Sequence, residues 1–166
     1  PLYPGTCRHR SMADWRAGDA VRLNMQAVLK IRPQMARLEF KETGETHGAP
    51  DGVMHGLSEN FLLNGVGDLV LARRNDSAPA YHLAVVVDDA AQNITHVVRG
   101  ADLFSATKIH IVLQTLLNLP TPIYHHHRLI RDEAGKRLAK RDDARAIRTY
   151  RDAGATVQDI HQMVGL

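Results

Sequence analysis

The sequence predicts an α/β domain, and two observations carry that reading. Residues 83–87 and 94–98 are short apolar runs rich in β-branched side chains, and the second delivers Arg99-Gly100 at its end. That is the pattern of a buried strand whose tip carries a charge into a cleft. Beyond it, Ile109, Val112, Leu113, Leu116 and Leu117 recur at helical spacing, with Thr107 as N-cap and Pro120 as the stop. An arginine at a strand tip can hold a carboxylate through two parallel hydrogen bonds, which lysine cannot do. Spacing alone favours the plainer alternative, a core strand followed by a surface arginine.

At 166 residues and 44% hydrophobic content, the chain suits one domain, or one domain plus an insertion. No apolar run approaches a membrane span and no signal peptide opens the chain, so a cytoplasmic location without membrane contact is expected. The single cysteine, Cys7, rules out an internal disulfide and fits a reducing compartment. A net charge of +3 and a pI near 9.3 permit a nucleic-acid partner without requiring one. There is no internal repeat and no low-complexity tract.

In chain order, residues 1–10 hold Pro1, Pro4 and Gly5 and read as a loop, in which Tyr3 and Cys7 stand in a Y-x-x-x-C spacing. Residues 11–20 read as a helix, with Ser11 as cap and Asp14 in the first turn. Residues 21–31 show no clean period and are broken by Pro33. Residues 38–43 alternate like an exposed strand, and 44–56, with four glycines, read as a turn-rich loop. Residues 68–74 read as a strand ending in Arg73-Arg74, followed by a turn at 75–79. By propensity alone 83–87 is a strand. Asp102 stands where it can cap the next helix. The consecutive histidines His125, His126 and His127 cannot face one way on a strand or a helix, which argues against a shared metal. Leu129-Ile130-Arg131 ends their strand. Lys136-Arg137-Leu138-Ala139-Lys140-Arg141 is by itself only a basic cluster. Residues 142–151 have an alternating-charge helical pattern ended by Gly154, and Thr156 caps a last helix with Val157, Ile160, Met163 and Val164 on one face.

Tyr81, the block Val85-Val86-Val87-Asp88-Asp89, Ile94-Thr95-His96-Val97-Val98 and Arg99-Gly100-Ala101-Asp102 resemble the second half of the active site of glutamyl-tRNA synthetases, which are class I aminoacyl-tRNA synthetases. The similarity runs on to the C-terminus and is specific. It implies the second half of a Rossmann-type catalytic domain with a preceding insertion and C-terminal helices. The corresponding divisions are 1–66, a connective insertion with half of a zinc site; 67–131, the second half of the nucleotide-binding fold; and 132–166, a KMSKS-like loop with C-terminal helices. The resemblance turns 83–87 into a helix beginning near Tyr81. It implies that Tyr81 and Arg99 bind glutamate, that His126 lines the ATP, and that Lys140, with Lys136, grips ATP phosphates. Ala139 departs from the usual serine of that loop. Tyr3 and Cys7 become half of a zinc site whose C-x-C partner is missing. A chain opening at Pro1 without methionine looks cut from something longer.

The resemblance implies the following chemistry. A glutamate carboxylate attacks the ATP α-phosphate, with Mg accompanying the nucleotide; pyrophosphate leaves; the adenylate then reacts with a hydroxyl of tRNA. The protein's share is alignment and charge stabilisation. Val85, where several longer members carry Asn, and a C-terminus without an anticodon-binding region point to the short branch that acts on queuosine of tRNA(Asp). No HIGH signature occurs, and neither His47 nor His110 has its surroundings. The expectation is a monomeric part of such an enzyme that is inactive alone. The alternatives are part of an enzyme charging tRNA(Glu), or a non-catalytic RNA- or metal-binding module.

Overall fold

The protein is described here from a computed structural model covering residues 2–74, 78–131, 135 and 146–165. It forms two compact units, Pro1–His127 and Arg128–Leu166.

The first unit opens on a single 3-10 turn, Met12–Asp14, where a helix over 11–20 was expected. Ser11 caps that turn through Ala13 N, but Trp15 is already extended. The Asp19 carboxylate takes the Arg16 N–H at 3.0 Å, so a side chain captures a donor that a helix would need. Strand β1 (Val21–Leu23) and helix α1 (Met25–Ile31) follow, the latter capped by Asn24 through Ala27 N. Pro33 opens the next 3-10 turn, Pro33–Arg37.

Strand β2 (Glu39–Glu42) is not the exposed strand expected over 38–43: Phe40 and Glu42 are fully buried, while Glu39 and Lys41 face out. It lies between β3 (Val53–Gly56) and β6 (Ile123–His127), which pair with its edges, and the face carrying Phe40 is closed by the core that holds Met25, Ile111 and Val112. Antiparallel β3 is the strand hidden at the end of the glycine-rich loop. A short helix α2 (Glu59–Phe61), capped by Ser58, runs into a π-helical turn, Leu62–Val66. Strand β4 (Leu69–Ala72) pairs antiparallel with β1 in a separate ribbon, as the apolar run there predicted.

Helix α3 (Tyr81–Ala91) holds residues 83–87, so tertiary packing overrides their strand propensity. Strand β5 (His96–Gly100) leads through a 3-10 turn, Ala101–Leu103, into helix α4 (Phe104–Leu116), and then into β6. Strands β5 and β6 are parallel neighbours, so β5-α4-β6 is a crossover unit at the edge of a sheet ordered β3-β2-β6-β5. Neither Thr107 nor Asp102 caps α4. Its cap is Leu103, with no side-chain bond; Thr107 is buried inside the helix, and Asp102 sits in the preceding 3-10 turn. Strand β6 ends at His127, short of the boundary expected at Arg131.

The main core gathers Met25, Met35, Phe40, Leu62, Ile111, Val112 and Tyr124. A smaller one joins Leu69, Val86 and Leu113. Helix α4 serves both, and so buries more of its circumference than a single apolar stripe would.

In the second unit, α5 (Ile147–Asp152) is shorter than the helix expected over 142–151, whose first residues lie outside the described ones. Helix α6 (Val157–Val164) has the predicted Thr156 cap, completed by Asp159 as a capping box. Gly165 closes it in the left-handed conformation (φ 75°), and Arg128 donates to the carbonyls of Val164 and Gly165. No helix among the described residues is long and apolar enough to cross a membrane.

The glycine-rich loop has a packing reason at its first residue. A Cβ on Gly44 would overlap the backbone N and O of His126 and stand 2.6 Å from Glu42 Oε1. Because the obstacles are mainly backbone, Gly44→Ala should lower stability by about 3 kcal/mol. Gly56→Ala, whose Cβ would meet nothing nearer than 4.0 Å, should change it by less than about 0.5 kcal/mol. Urea denaturation of the two variants checks this contrast.

Candidate functional site

The parallel register of β5 and β6 sets Arg99 beside His126 and Val97 beside Tyr124. Residues two apart on a strand share a face, so Arg99, Tyr124 and His126 project together. Helix α4 lies against them with Thr107, His110 and Gln114, all buried and spaced to share a helical face.

Arg99 is the centre of what results. Its Nε donates to His126 Nε2 at 3.1 Å and its Nη1 to His110 Nδ1 at 3.3 Å. Its Nη2 donates to Thr107 Oγ1 at 2.6 Å and, more weakly, to the Leu103 carbonyl at 3.4 Å. The guanidinium carbon stands 5.3 Å from the Tyr124 ring centroid, in cation–π range. A guanidinium has five N–H donors. These contacts leave one Nη1 hydrogen for a further acceptor, and the long bond to Leu103 is the one a carboxylate would displace to gain a two-pronged grip.

Because arginine only donates, these bonds dictate the tautomers of the rings. His126 Nε2 accepts, so its Nδ1 carries the proton and donates to Glu42 Oε2 at 2.5 Å. His110 Nδ1 accepts, so its Nε2–H donates to His82 Nδ1 at 3.0 Å. Glu42 also takes the backbone N–H of His126 at 2.8 Å and of Gly44 at 2.7 Å.

The electrostatics agree with the bonding. Burial, and then the Arg99 charge, push His110 down to about 3, so the ring is neutral at physiological pH. Burial first and Arg99 second lower His82 as well. His126 is lowered by burial, against the pull of Glu42. Burial would raise Glu42, but the bonds from the His126 backbone, the His126 ring and Gly44 together hold it below the ordinary carboxylate range. Burial lowers Arg99 too, with Tyr124, Tyr81, Asp89 and Glu42 acting in the opposite sense. The cluster is therefore one buried carboxylate and one guanidinium separated by a neutral ring, with two further neutral histidines beside the cation.

Of the residues named from sequence, the structure brings Tyr81, Arg99 and His126 into one cluster. The Tyr81 ring lies 6.3 Å from that of His110, which in turn holds Arg99, and Tyr81 remains 57% exposed. His126, expected to line ATP, is fully enclosed, and both its ring nitrogens are engaged within the protein. Its contact is Arg99 rather than open space. Lys136 and Lys140 lie outside the described residues. Sequence reasoning missed Glu42, Thr107, His82 and His110. A glutamate and a histidine at positions that pattern with apolar neighbours were the available signals.

Tyr3 and Cys7 are adjacent, the Cys7 N–H donating to the Tyr3 hydroxyl at 2.6 Å. Among the described residues, however, no group of three His, Cys, Asp or Glu side chains gathers to hold a metal. Structural zinc takes four ligands, so this pair alone does not fit it. Both residues line a cleft of about 690 Å³ with Arg8, Arg10 and Arg22. Those arginines are held by the protein: Arg8 pairs with Asp68 at 2.8 Å, Arg10 with Asp19 at 2.5 Å, and Arg22 donates to the Asp68 carbonyl at 3.0 Å. None of the Arg99 cluster lines that cleft.

The histidines tie stability to pH. Below the ordinary histidine value of 6.5 the unfolded chain takes up a proton that folded His110, at about 3, refuses. Stability therefore falls as pH drops from 6.5 towards 3. Glu42, lowered in the fold from 4.5, adds to the loss once pH passes below that value. The urea midpoint should decline steadily from pH 7 to pH 4, and His110→Asn should flatten the slope between pH 6.5 and 5. A midpoint constant over that range would contradict neutral burial of His110.

Comparison with known proteins agrees with the geometry. Residues 29–166 match the family described as class I tRNA synthetases (E and Q), catalytic domain. The glutamyl-Q tRNA(Asp) synthetase of Rhodobacter capsulatus is 50% identical over 167 residues, covering 99% of this chain and 56% of that protein. The enzyme of the same name from Nocardia farcinica is 42% identical over 158 residues, covering 95% of this chain and 45% of its own length. The chain thus spans about half the length of the curated relatives it matches. The solved glutamate-tRNA synthetase of Elizabethkingia anophelis shares the fold at a TM-score of 0.50 and 22% identity, over 85% of this chain and 27% of that one. With a family match over most of its length and a parallel-strand crossover of that fold, the chain belongs to the class I tRNA synthetases of the glutamate and glutamine type, a ligase family, and to their catalytic domain.

Proposed function

We propose that this chain supplies the glutamate-recognising part of an ATP-dependent synthetase that transfers glutamate to tRNA, with queuosine of tRNA(Asp) as the acceptor. The observation that carries the reading is Arg99, a partly buried guanidinium at a strand tip, held by neutral groups and with a donor to spare. A carboxylate is its natural complement. Tyr81, exposed at the start of α3 and in ring contact with His82 and His110, is proposed to offer its hydroxyl to the same amino acid. Glutamine would be rejected because a neutral amide leaves the cation unmatched in a poorly solvated site. The named relatives support the queuosine branch over charging of tRNA(Glu). Val85, one helical turn beyond Tyr81 and packed on the smaller core, has no polar atom to add to the amino-acid site.

In this reading the glutamate α-carboxylate attacks the ATP α-phosphate, the bond to the leaving pyrophosphate breaks, and the acyl adenylate is attacked by a tRNA hydroxyl. Lys140 and Lys136 act as the positive charges on the phosphates; His126 acts through Arg99 rather than on the nucleotide. In the class I synthetases that this chain resembles, ATP meets a helix N-terminus carrying the HIGH signature, which this sequence does not contain. The chain on its own is therefore proposed to bind glutamate without activating it.

Calorimetry tests the reading. The chain should bind glutamate in preference to glutamine, and Arg99→Ala should weaken binding at least tenfold, corresponding to about 1.4 kcal/mol. Equal affinity for the two amino acids, or no loss in the variant, overturns it. A non-catalytic module, one of the alternatives, would show RNA binding with no glutamate binding. ATP–pyrophosphate exchange by this chain alone would overturn the claim that it needs a HIGH-bearing part.

A further inference from the structure

A buried carboxylate at a strand end is a weak source of stability, because removing it from water costs more than most pairings return. Glu42 is such a group. It is fully buried, and its three bonds run to the His126 backbone, the His126 ring and the Gly44 backbone. The geometry points to a use: we propose that Glu42 and His126 form a positioning relay that orients Arg99 for the substrate carboxylate, making Glu42 a positioning residue for amino-acid recognition. The proposal rests on the functional reading above and deepens it.

The relay works through one proton. With Glu42 accepting from Nδ1, the His126 ring must present a bare Nε2, and the only group able to use it along that direction is a donor. Arg99 Nε and the Thr107 hydroxyl, 3.1 and 3.2 Å away, are both donors. If the proton moved to Nε2, two N–H groups would face each other and Arg99 would lose its anchor. The surroundings exclude that slip. Gly44 allows the chain to turn directly against Glu42 and His126, and Gly48 packs on the Glu42 carbonyl. Beyond them His47 stacks on Phe104 at 3.8 Å, and Phe104 meets the His126 ring edge-on at 5.3 Å. The loop over 44–56, which had no role in the sequence reading, is thus the cover that keeps the relay dry.

Glu42→Gln is the decisive variant. Its amide oxygen can still accept from the two backbone N–H groups, but its NH₂ then faces Nδ1 and forces the proton to Nε2. Nitrogen-15 NMR of the His126 ring should show the Nδ1–H tautomer in the wild-type chain and the Nε2–H tautomer in Glu42→Gln. Glutamate affinity should fall at least tenfold. In a His126→Gln background, which already cuts the relay, Glu42→Gln should cost little further glutamate affinity, and a second tenfold loss there overturns the proposal. An Nε2–H tautomer in the wild-type chain overturns the proposal without any variant, and so covers the case in which Glu42→Gln does not fold. Unchanged affinity in a folded Glu42→Gln variant overturns it as well. If the wild-type chain binds no glutamate, the functional reading fails and the recognition role with it, while the tautomer spectrum separately shows whether the relay exists.

Discussion

A guanidinium cannot be drawn out of water without partners for its donors, and the arrangement around Arg99 is the solution to that constraint. The residue sits at the end of a parallel strand, where backbone pairing stops and side chains must take over. Its four contacts come from β5's neighbour β6, from the turn after β5 and from α4. Each partner is an uncharged acceptor, so the positive charge is held in place without being neutralised. Bonding Arg99 directly to Glu42 would have made a stable ion pair and left little attraction for a substrate. A neutral imidazole between them keeps the two charges in communication and leaves the cation available.

The same constraint explains why α4 is an unusual amphipathic helix. Its buried face is apolar where it meets Phe40 and Met25, and polar where Thr107 and His110 meet the strand tips. A neutral histidine buried beside a cation is tolerable only because burial and the positive charge act in the same direction on its proton. His110 then passes a hydrogen bond outward to His82, and both rings lie against Tyr81. The exposed aromatic is therefore joined to the partly buried cation through the His110 ring.

The sheet gives these groups their fixed spacing. Register between β5 and β6 places Arg99 opposite His126, and the position of β2 beside β6 brings Glu42 to the same ring. Of the first 66 residues, β2 and β3 are thus part of the sheet that carries the site, while β1 belongs to the other one. The β1–β4 ribbon, with Asp68 receiving both Arg8 and the Met25 backbone N–H, stands as a separate arginine-rich wall.

The strand ending in Arg-Gly and the helix after it were legible in the sequence, whereas the parallel pairing that makes them a crossover unit was not. A β-branched run ending in Arg-Gly, a helical period and a second strand are local signals, because side-chain alternation and helical repeat depend only on neighbouring residues. The sequence also marked Arg99 and Tyr81 as candidates, because their residue types and order resemble a known family, and it supplied the Thr156 cap, whose partner Asp159 is three residues away. The rest depends on contacts between distant parts of the chain. Glu42 and His126 are 84 residues apart in the chain, so no local pattern can announce their bond. The alternation over 38–43 marks two faces but cannot say that Phe40 and Glu42 face inward, since burial depends on which strands flank β2. The strand propensity of 83–87 lost to helix packing for the same reason: propensities are worth tenths of a kcal/mol per residue, and shared burial is worth more.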